Sequence, residues 1–449
     1  MSWWRLLPLA LLAGCIAKVG PEHQAPNPPL PAAYAGAAPA ATQVDAWWQG
    51  FGDAALDRLV RQALAENLDI AAAGARLAEA RALLTVADSA GGPQLDANLT
   101  AQERGTISGD SENEPPVVSA AGLFDWMPDL FGGRARATES AAAELRRRDA
   151  LQADVRRQVA ADVVRRYVEI GRDRARLQLV EDSLGLRRQT LELVRQRFDA
   201  GLAAQLDVSR AAADVAATQA QRGPLQLSVA TSRNALAVLL AGQSAEGPAA
   251  PPGFAGGPPL GLPADLLRRR PDLIAAEANL ARATADIGVA EAQLYPQLRI
   301  PANLTLGLES LSGGGTIDSF VAGIAASLAI PLFDTGGRRA QVDAAEARAS
   351  EALLLYRQTL LRAVQQAETA LAALAAAMAR AADLRAAVAA SEQAAQQADN
   401  LYRQGLTGFL DVLDAQRTLL DNRQSLTAAE ADIGLATADL YSAIGAPGT

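Results

Sequence analysis

Two hydrophobic periods alternate along the chain. From Arg134 to Phe198 and from Arg338 to Tyr402 apolar residues recur at helical spacing, with no proline to interrupt them. Leu353, Leu360, Ala367, Leu374, Ala381, Val388, Ala395 and Tyr402 fall every seven residues, as do Leu177, Leu184, Leu191 and Phe198, which is a coiled-coil repeat. Each stretch predicts one unbroken helix of about 100 Å at 1.5 Å per residue. A second apolar line, Leu179, Leu186 and Leu193, predicts neighbours on both sides. Return helices are expected over about Leu206–Leu240 and Leu410–Ile444, the first kinked at Gly223-Pro224 because proline removes a backbone bond. A further helix is expected from Asp53 to Ser89.

Between these helices the period changes to two. Leu298, Ile300, Ala302, Leu304, Leu306 and Leu308 alternate with Arg299, Pro301, Asn303, Thr305, Gly307 and Glu309. After a Ser/Gly turn at 311–315, Phe320, Ala322, Ile324, Ala326, Leu328 and Ile330 alternate again. Weaker equivalents run over about 94–106 and 117–127, joined by an acidic loop at 110–114. Each run has about the length of a tilted membrane barrel strand, roughly 9 to 11 residues. An ordinary hairpin with one buried face gives the same alternation. Four strands cannot close a barrel, and open edges are not tolerated in lipid, so spanning strands imply several chains pooling them.

The pattern is written twice. Phe198, Gly201, Leu202 and Asp207 reappear as Tyr402, Gly405, Leu406 and Asp411, each 204 residues on. Asp69, Leu77 and Pro93-Gln94-Leu95 reappear as Asp272, Leu280 and Pro296-Gln297-Leu298, each 203 residues on. The chain is therefore a duplicated unit. Gly201 and Gly405 sit where each long helix must turn, a conformation glycine takes without steric penalty. Beyond the second turn, Asp411 and Asp414 share one helical face.

Composition narrows the chemistry. A formal net charge of −9 argues against a nucleic-acid partner. Lys18 is the only lysine and His23 the only histidine, which excludes a Walker loop, a catalytic triad and a histidine metal site. No metal site and no soluble cofactor is expected. Cys15 is the single cysteine, so no intramolecular disulfide forms. Arg5, the apolar run Leu6–Leu12 and Leu12-Ala13-Gly14-Cys15 make an export signal too short to span a bilayer. Those four residues look like a bacterial lipobox, whose cysteine is acylated and becomes the mature N-terminus; Ile16 favours the outer membrane. An ordinary signal peptide with an incidental cysteine is the alternative. The runs Arg146–Arg148 and Arg268–Arg270 read as solvated helix faces.

The chain resembles the outer-membrane efflux proteins, TolC-like factors of the lipoprotein subgroup serving RND pumps. The resemblance is carried by LAGC at 12–15, WW at 47–48, DLFGGR at 129–134, RRPDLIAAEANL at 269–280, LYPQL at 294–298 and GLTGFLDVLDAQ at 405–416. It implies a mostly α-helical fold with a membrane β-hairpin in each half. Duplicated coiled-coil hairpins would assemble as a trimeric α-barrel carrying a shared twelve-stranded β-barrel. It implies a homotrimer in outer-membrane lipid, partnered by a periplasmic adaptor and an inner-membrane RND-type pump. Asp411 and Asp414 match aspartate rings at the periplasmic constriction, and Tyr402 a tyrosine that helps hold the closed state. Gly201-Leu202 and Gly405-Leu406 match the tips that meet the adaptor. Thr407 stands where some relatives carry an arginine that helps lock the tip. Asp411 also reads simply as an acid at a helix N-terminus, and Tyr402 as a packing residue continuing the heptad.

The chain thus divides into a signal peptide (1–14), a lipidated tether (15–45), a first repeat (46–241), a Pro/Gly linker (242–263) and a second repeat (264–446). Membrane strands are expected over about 94–127 and 297–330, and helical-barrel segments over about 131–241 and 335–446. The expected function is a passive outer-membrane exit duct for small molecules, with no enzymatic activity and only a covalent lipid on Cys15. Alternatives are a duct for protein secretion or metal-cation efflux, or a periplasmic coiled-coil scaffold lipoprotein that forms no pore.

Overall fold

A computed structural model describes residues 18–26, 46–102, 117–254, 269–309 and 316–446. The expected signal peptide, Cys15, the acidic loop 110–114, the Ser/Gly turn 311–315 and part of the linker lie outside the described residues. The chain divides into two compact units, one of Met1–Asn27, Arg76–Asp149 and Ala275–Arg357, the other of Pro28–Ala75, Ala150–Ile274 and Gln358–Thr449. Each takes segments from both repeats.

The first unit is built around one antiparallel sheet, β1 (Gln94–Gln102), β2 (Val117–Trp126), β3 (Gln297–Glu309) and β4 (Thr316–Ile324), in that order. The two hairpins, one from each repeat, are joined by β2 and β3. Residues directly opposite in such a ladder share a face, so the register decides what each face carries. Leu95 faces Phe124 and Leu99 faces Ala120. Phe124 faces Ala302 and Gly122 faces Leu304. Ala302 faces Ile324 and Leu306 faces Phe320. This face is apolar throughout. The other carries Asp96, Asn98, Thr100, Ser119, Asp125, Asn303 and Thr305, with Arg299 bridging Asp125 at 2.8 Å and 2.9 Å. The apolar face is bare: Leu95, Leu99 and Ile324 are each more than three-quarters exposed.

One expected strand is broken. The run Phe320–Ile330 forms β4 and then β5 (Ser327–Ala329), which pairs further along β3. The gap lies opposite Pro301, whose carbonyl accepts from the Ala325 N–H at 2.9 Å. Proline has no N–H to return, so the ladder lapses there.

The helix expected from Asp53 to Ser89 is two, α1 (Ala54–Glu66) and α2 (Leu68–Ser89). Asn67 adopts an extended backbone between them, and its side-chain oxygen accepts from the N–H groups of Asp69 at 2.9 Å and Ile70 at 3.2 Å. It therefore ends one helix and caps the next. The copy of α2 is α6 (Pro271–Ala292), of the same 22 residues.

The long helices are as predicted: α3 (Gly133–Asp199) and α7 (Gly337–Arg403), 67 residues each. In the second unit α7 buries Leu360, Ala363, Ala367, Ala370, Leu374, Ala377 and Ala381, alternating by three and four, so the seam uses two positions of every heptad. The first return helix is divided at Gln221 into α4 (Gln205–Ala220) and α5 (Arg222–Leu239), next to Gly223-Pro224, while the second, α8 (Phe409–Ala443), is continuous. Trp47 stacks on Tyr441 with ring centroids 5.1 Å apart, and Trp48 donates to Asp57 at 3.1 Å. Arg270 corrects the solvated reading of its run. It is 3% exposed, bridges Asp272 at 2.7 Å and donates to the Ala443 carbonyl at 2.5 Å, holding the end of α8. Arg147 and Arg148 both bind Glu144 at 2.7 Å along the helix.

Candidate functional site

The sequence-predicted site residues converge at the two hairpin turns of the second unit. At the first, Gly201 has φ +74° and donates to the Phe198 carbonyl, while the Leu202 N–H reaches back to Arg197 at 2.7 Å. At the second, Gly405 has φ +78° and donates to Tyr402, while the Leu406 N–H reaches back to Leu401 at 2.9 Å. Both are the left-handed glycine cap that satisfies the last carbonyls of a helix. Each leaves a leucine at its crest, and Leu202 and Leu406 are both 70% exposed.

Behind the turns lies a small core of Leu191, Val194, Ala211, Tyr402, Phe409, Val412 and Leu413. Tyr402 is 5% exposed. Its ring meets Phe409 at 5.9 Å between centroids, and the Arg197 guanidinium stands over its face at 4.6 Å, within cation–π range. Arg197 also donates to the Tyr402 carbonyl at 2.5 Å. Burial pushes the Tyr402 hydroxyl above its ordinary pKa. Tyr402 thus packs inside the chain, at a place where any movement between the two long helices must break its contacts.

Asp411 and Asp414 are both exposed on the first turns of α8. Asp411 accepts from the Thr407 hydroxyl, a side-chain bond that ties the turn to the first turn of α8, whose N-cap Gly408 supplies no side-chain cap.

Sequence reading missed one feature next to this core. Arg187 occupies the buried seam of α3 among Val180, Leu184, Leu191 and Val194 and is 4% exposed; Asp214, on α4, is 3% exposed. The two are paired, Arg417 from α8 holds the other Asp214 oxygen at 2.7 Å, and Ser183 accepts from Arg187 at 3.0 Å. A buried aspartate on α4 that holds arginines from two other helices, one of them at a seam position, fixes helix register at a cost in desolvation. Arginine breaking the heptad was the only signal of it in the sequence.

Among the described residues no group of three or more His, Cys, Asp or Glu is placed to hold a metal, and no helix is long and apolar enough to cross a membrane. The pattern of the family described as outer membrane efflux protein matches over residues 59–242 and again over 262–446. The chain belongs to that family.

This efflux protein is 32% identical over 452 residues to nodulation protein T of Rhizobium leguminosarum bv. trifolii, covering 97% of this chain and 95% of that one. It is 30% identical over 423 residues to the pyoverdine export outer membrane protein OpmQ of Pseudomonas aeruginosa, covering 90% and 88%. Among solved structures it is similar to the outer-membrane channel OprN, with a TM-score of 0.85 at 30% identity over 96% of this chain and 99% of that one. It is an outer-membrane exit duct of a tripartite efflux system, a channel and not an enzyme. It acts as a homotrimer with a periplasmic adaptor and an inner-membrane RND pump. The sheet's chemistry follows from that setting. Its apolar face meets lipid and its polar face meets the lumen, the alternation a membrane barrel requires. The outer edges of β1 and β4, unpaired within the described chain, close on neighbouring subunits.

Proposed function

We propose that this efflux protein exports small organic molecules, that Asp411 and Asp414 form its periplasmic constriction with Tyr402 holding the closed state, and that Leu202 and Leu406 are the contacts for the adaptor. Cys15 carries the lipid that anchors the mature N-terminus. The observation that carries the constriction is the exposed, unneutralised acid pair one turn beyond a rigid cap. Repeated around a threefold axis, six carboxylates in a narrow lumen attract cations and resist the passage of anions. Thr407 lacks the charge of an arginine, so the second tip is held by Arg197 on Tyr402 rather than by an ion pair from its own turn. Two bare leucines on rigid glycine caps offer the adaptor preformed apolar knobs with little entropy left to lose. OpmQ's export of pyoverdine is the kind of cargo meant.

The test is complementation of cells lacking their own exit duct, with their pump and adaptor matched to this chain. Wild type should lower accumulation of a dye carried by the pump. Leu202→Glu with Leu406→Glu should assemble as trimers but restore little efflux. Unchanged efflux by that double variant would remove the leucines from the adaptor contact. Failure of wild type, despite outer-membrane trimers and a bound adaptor, would refute the small-molecule cargo.

A further inference from the structure

We propose that an apolar pocket at the foot of the sheet receives an acyl chain carried by Cys15. The proposal rests on the lipidation of Cys15 and adds to it a defined seat. The pocket, of about 290 Å³, is walled mainly by Met127, Leu130, Phe131, Val289, Pro296 and Leu298, with Asp129, Gln293 and Gln297 also in its lining. It lies where β2 hands the chain to α3 and α6 hands it to β3, at the end of the sheet's lipid-facing residues. Phe131 and Tyr295 stack there with centroids 4.7 Å apart and planes 22° from parallel. Tyrosine at such a level is the usual mark of a membrane–water interface.

The described N-terminus starts at this pocket. The Val19 N–H donates to the carbonyl of Phe131, a wall residue, at 3.1 Å. Arg136, 3% exposed, donates to the carbonyls of Val19 at 2.9 Å and Gly20 at 2.7 Å. Lys18 binds Glu139. The backbone of Lys18 runs so close to Gly132 that a Cβ there would lie 2.8 Å from the Lys18 Cα, and Gly20, at φ +85°, abuts Gly288 with no room for a side chain. Residues 18–20 are therefore a strap pinned by glycine contacts and one buried arginine. Cys15 is three residues upstream, and a chain spans at most about 3.6 Å per residue, so its Cα lies within about 11 Å of the Lys18 Cα. A strap fixed on the pocket wall delivers a lipidated end to the pocket mouth. Arg134, which also lines the pocket, is the feature through which a free phospholipid would compete.

The test uses the wild-type protein from cells fed an alkyl-diazirine fatty acid, irradiated and analysed by intact-mass and peptide mass spectrometry. The expected result is an acylated Cys15 whose chain crosslinks to peptides containing 127–131 and 289–298 several-fold more than to the lipid-facing peptide containing 320–324. Val289→Trp, which fills the pocket, should lower those crosslinks several-fold while acylation persists. Because the wild-type pattern is decisive alone, poor assembly of that variant changes nothing. An acylated Cys15 with crosslinks spread evenly over the lipid face overturns the seat and leaves lipidation standing. An unmodified Cys15 overturns both. A diazirine phosphatidylethanolamine that labels the pocket in place of the N-terminal lipid, and does so less in Arg134→Gln, overturns the proposal in favour of a free lipid.

Discussion

The two hairpin tips of this protein share a backbone and differ in charge. Both close with a left-handed glycine, Gly201 or Gly405, and both raise a leucine to the same 70% exposure. One turn on, the first carries Asp207 and Arg210, paired at 3.8 Å, where the second carries Asp411 and Asp414. The first is neutral and the second carries two negative charges. Phe198 is 38% exposed, whereas its counterpart Tyr402 is 5% exposed beneath Arg197. The first return helix breaks at Gln221, and the second is continuous. Duplication has therefore kept the backbone geometry of both tips and let the chemistry diverge. On the proposed reading, one tip is a scaffold and the other holds the latch and the charge.

That division can be attacked at several strengths, read as the opening free energy of the tips by hydrogen exchange of peptides around 187–214 and 398–417. The largest effect should come from Asp214→Ala, which leaves Arg187 buried without its carboxylate and costs about 3–5 kcal/mol. Asp214 serves both tips through Arg187 and Arg417, so both should loosen; protection lost at only one would break the shared-knot account. Tyr402→Ala should cost about 3–4 kcal/mol, as large aromatic truncations in a core do. Phe198→Ala, at a residue already 38% exposed, should cost only about 1–2 kcal/mol. Equal losses would erase the asymmetry. Gly201→Ala and Gly405→Ala each force a side chain into left-handed backbone, at about 1–2 kcal/mol. These two should match, because the caps are the part the repeats share. The smallest effect is Thr407→Ala, which removes the hydroxyl bonded to Asp411 and should cost about 0.5–1 kcal/mol at the second tip alone.

Much of this was legible in the sequence because the signals are local. Period-two runs between helical ones place the strands, and glycine after a long heptad places the turns. What escaped depends on partners far along the chain. Asn67 lies in a pattern that stays helical on either side, and only its side chain's bonds to Asp69 and Ile70 reveal a cap. Pro301 suits the alternation of its own strand, and the damage appears on the neighbour as the gap at Ala325. Arg187 looks like a surface residue until Asp214, 27 residues on and itself held by Arg417, is brought to it. Arg270 sits in a run of three arginines, yet its burial is decided by Ala443 at the far end of the chain. Tyr402 falls on the heptad line of its own helix, but the Arg197 above it belongs to the other repeat.

The central claim is that charge control of the duct belongs to the second tip alone. Single-channel recording of purified trimers in planar bilayers tests it most directly, comparing wild type, Asp411→Asn with Asp414→Asn, and Asp207→Asn with Arg210→Gln. Wild type and the first-tip variant should conduct with the same cation preference and the same block by divalent cations, and the second-tip variant should lose both. Selectivity and block that survive in the second-tip variant, or that vanish equally in the two, would contradict the account.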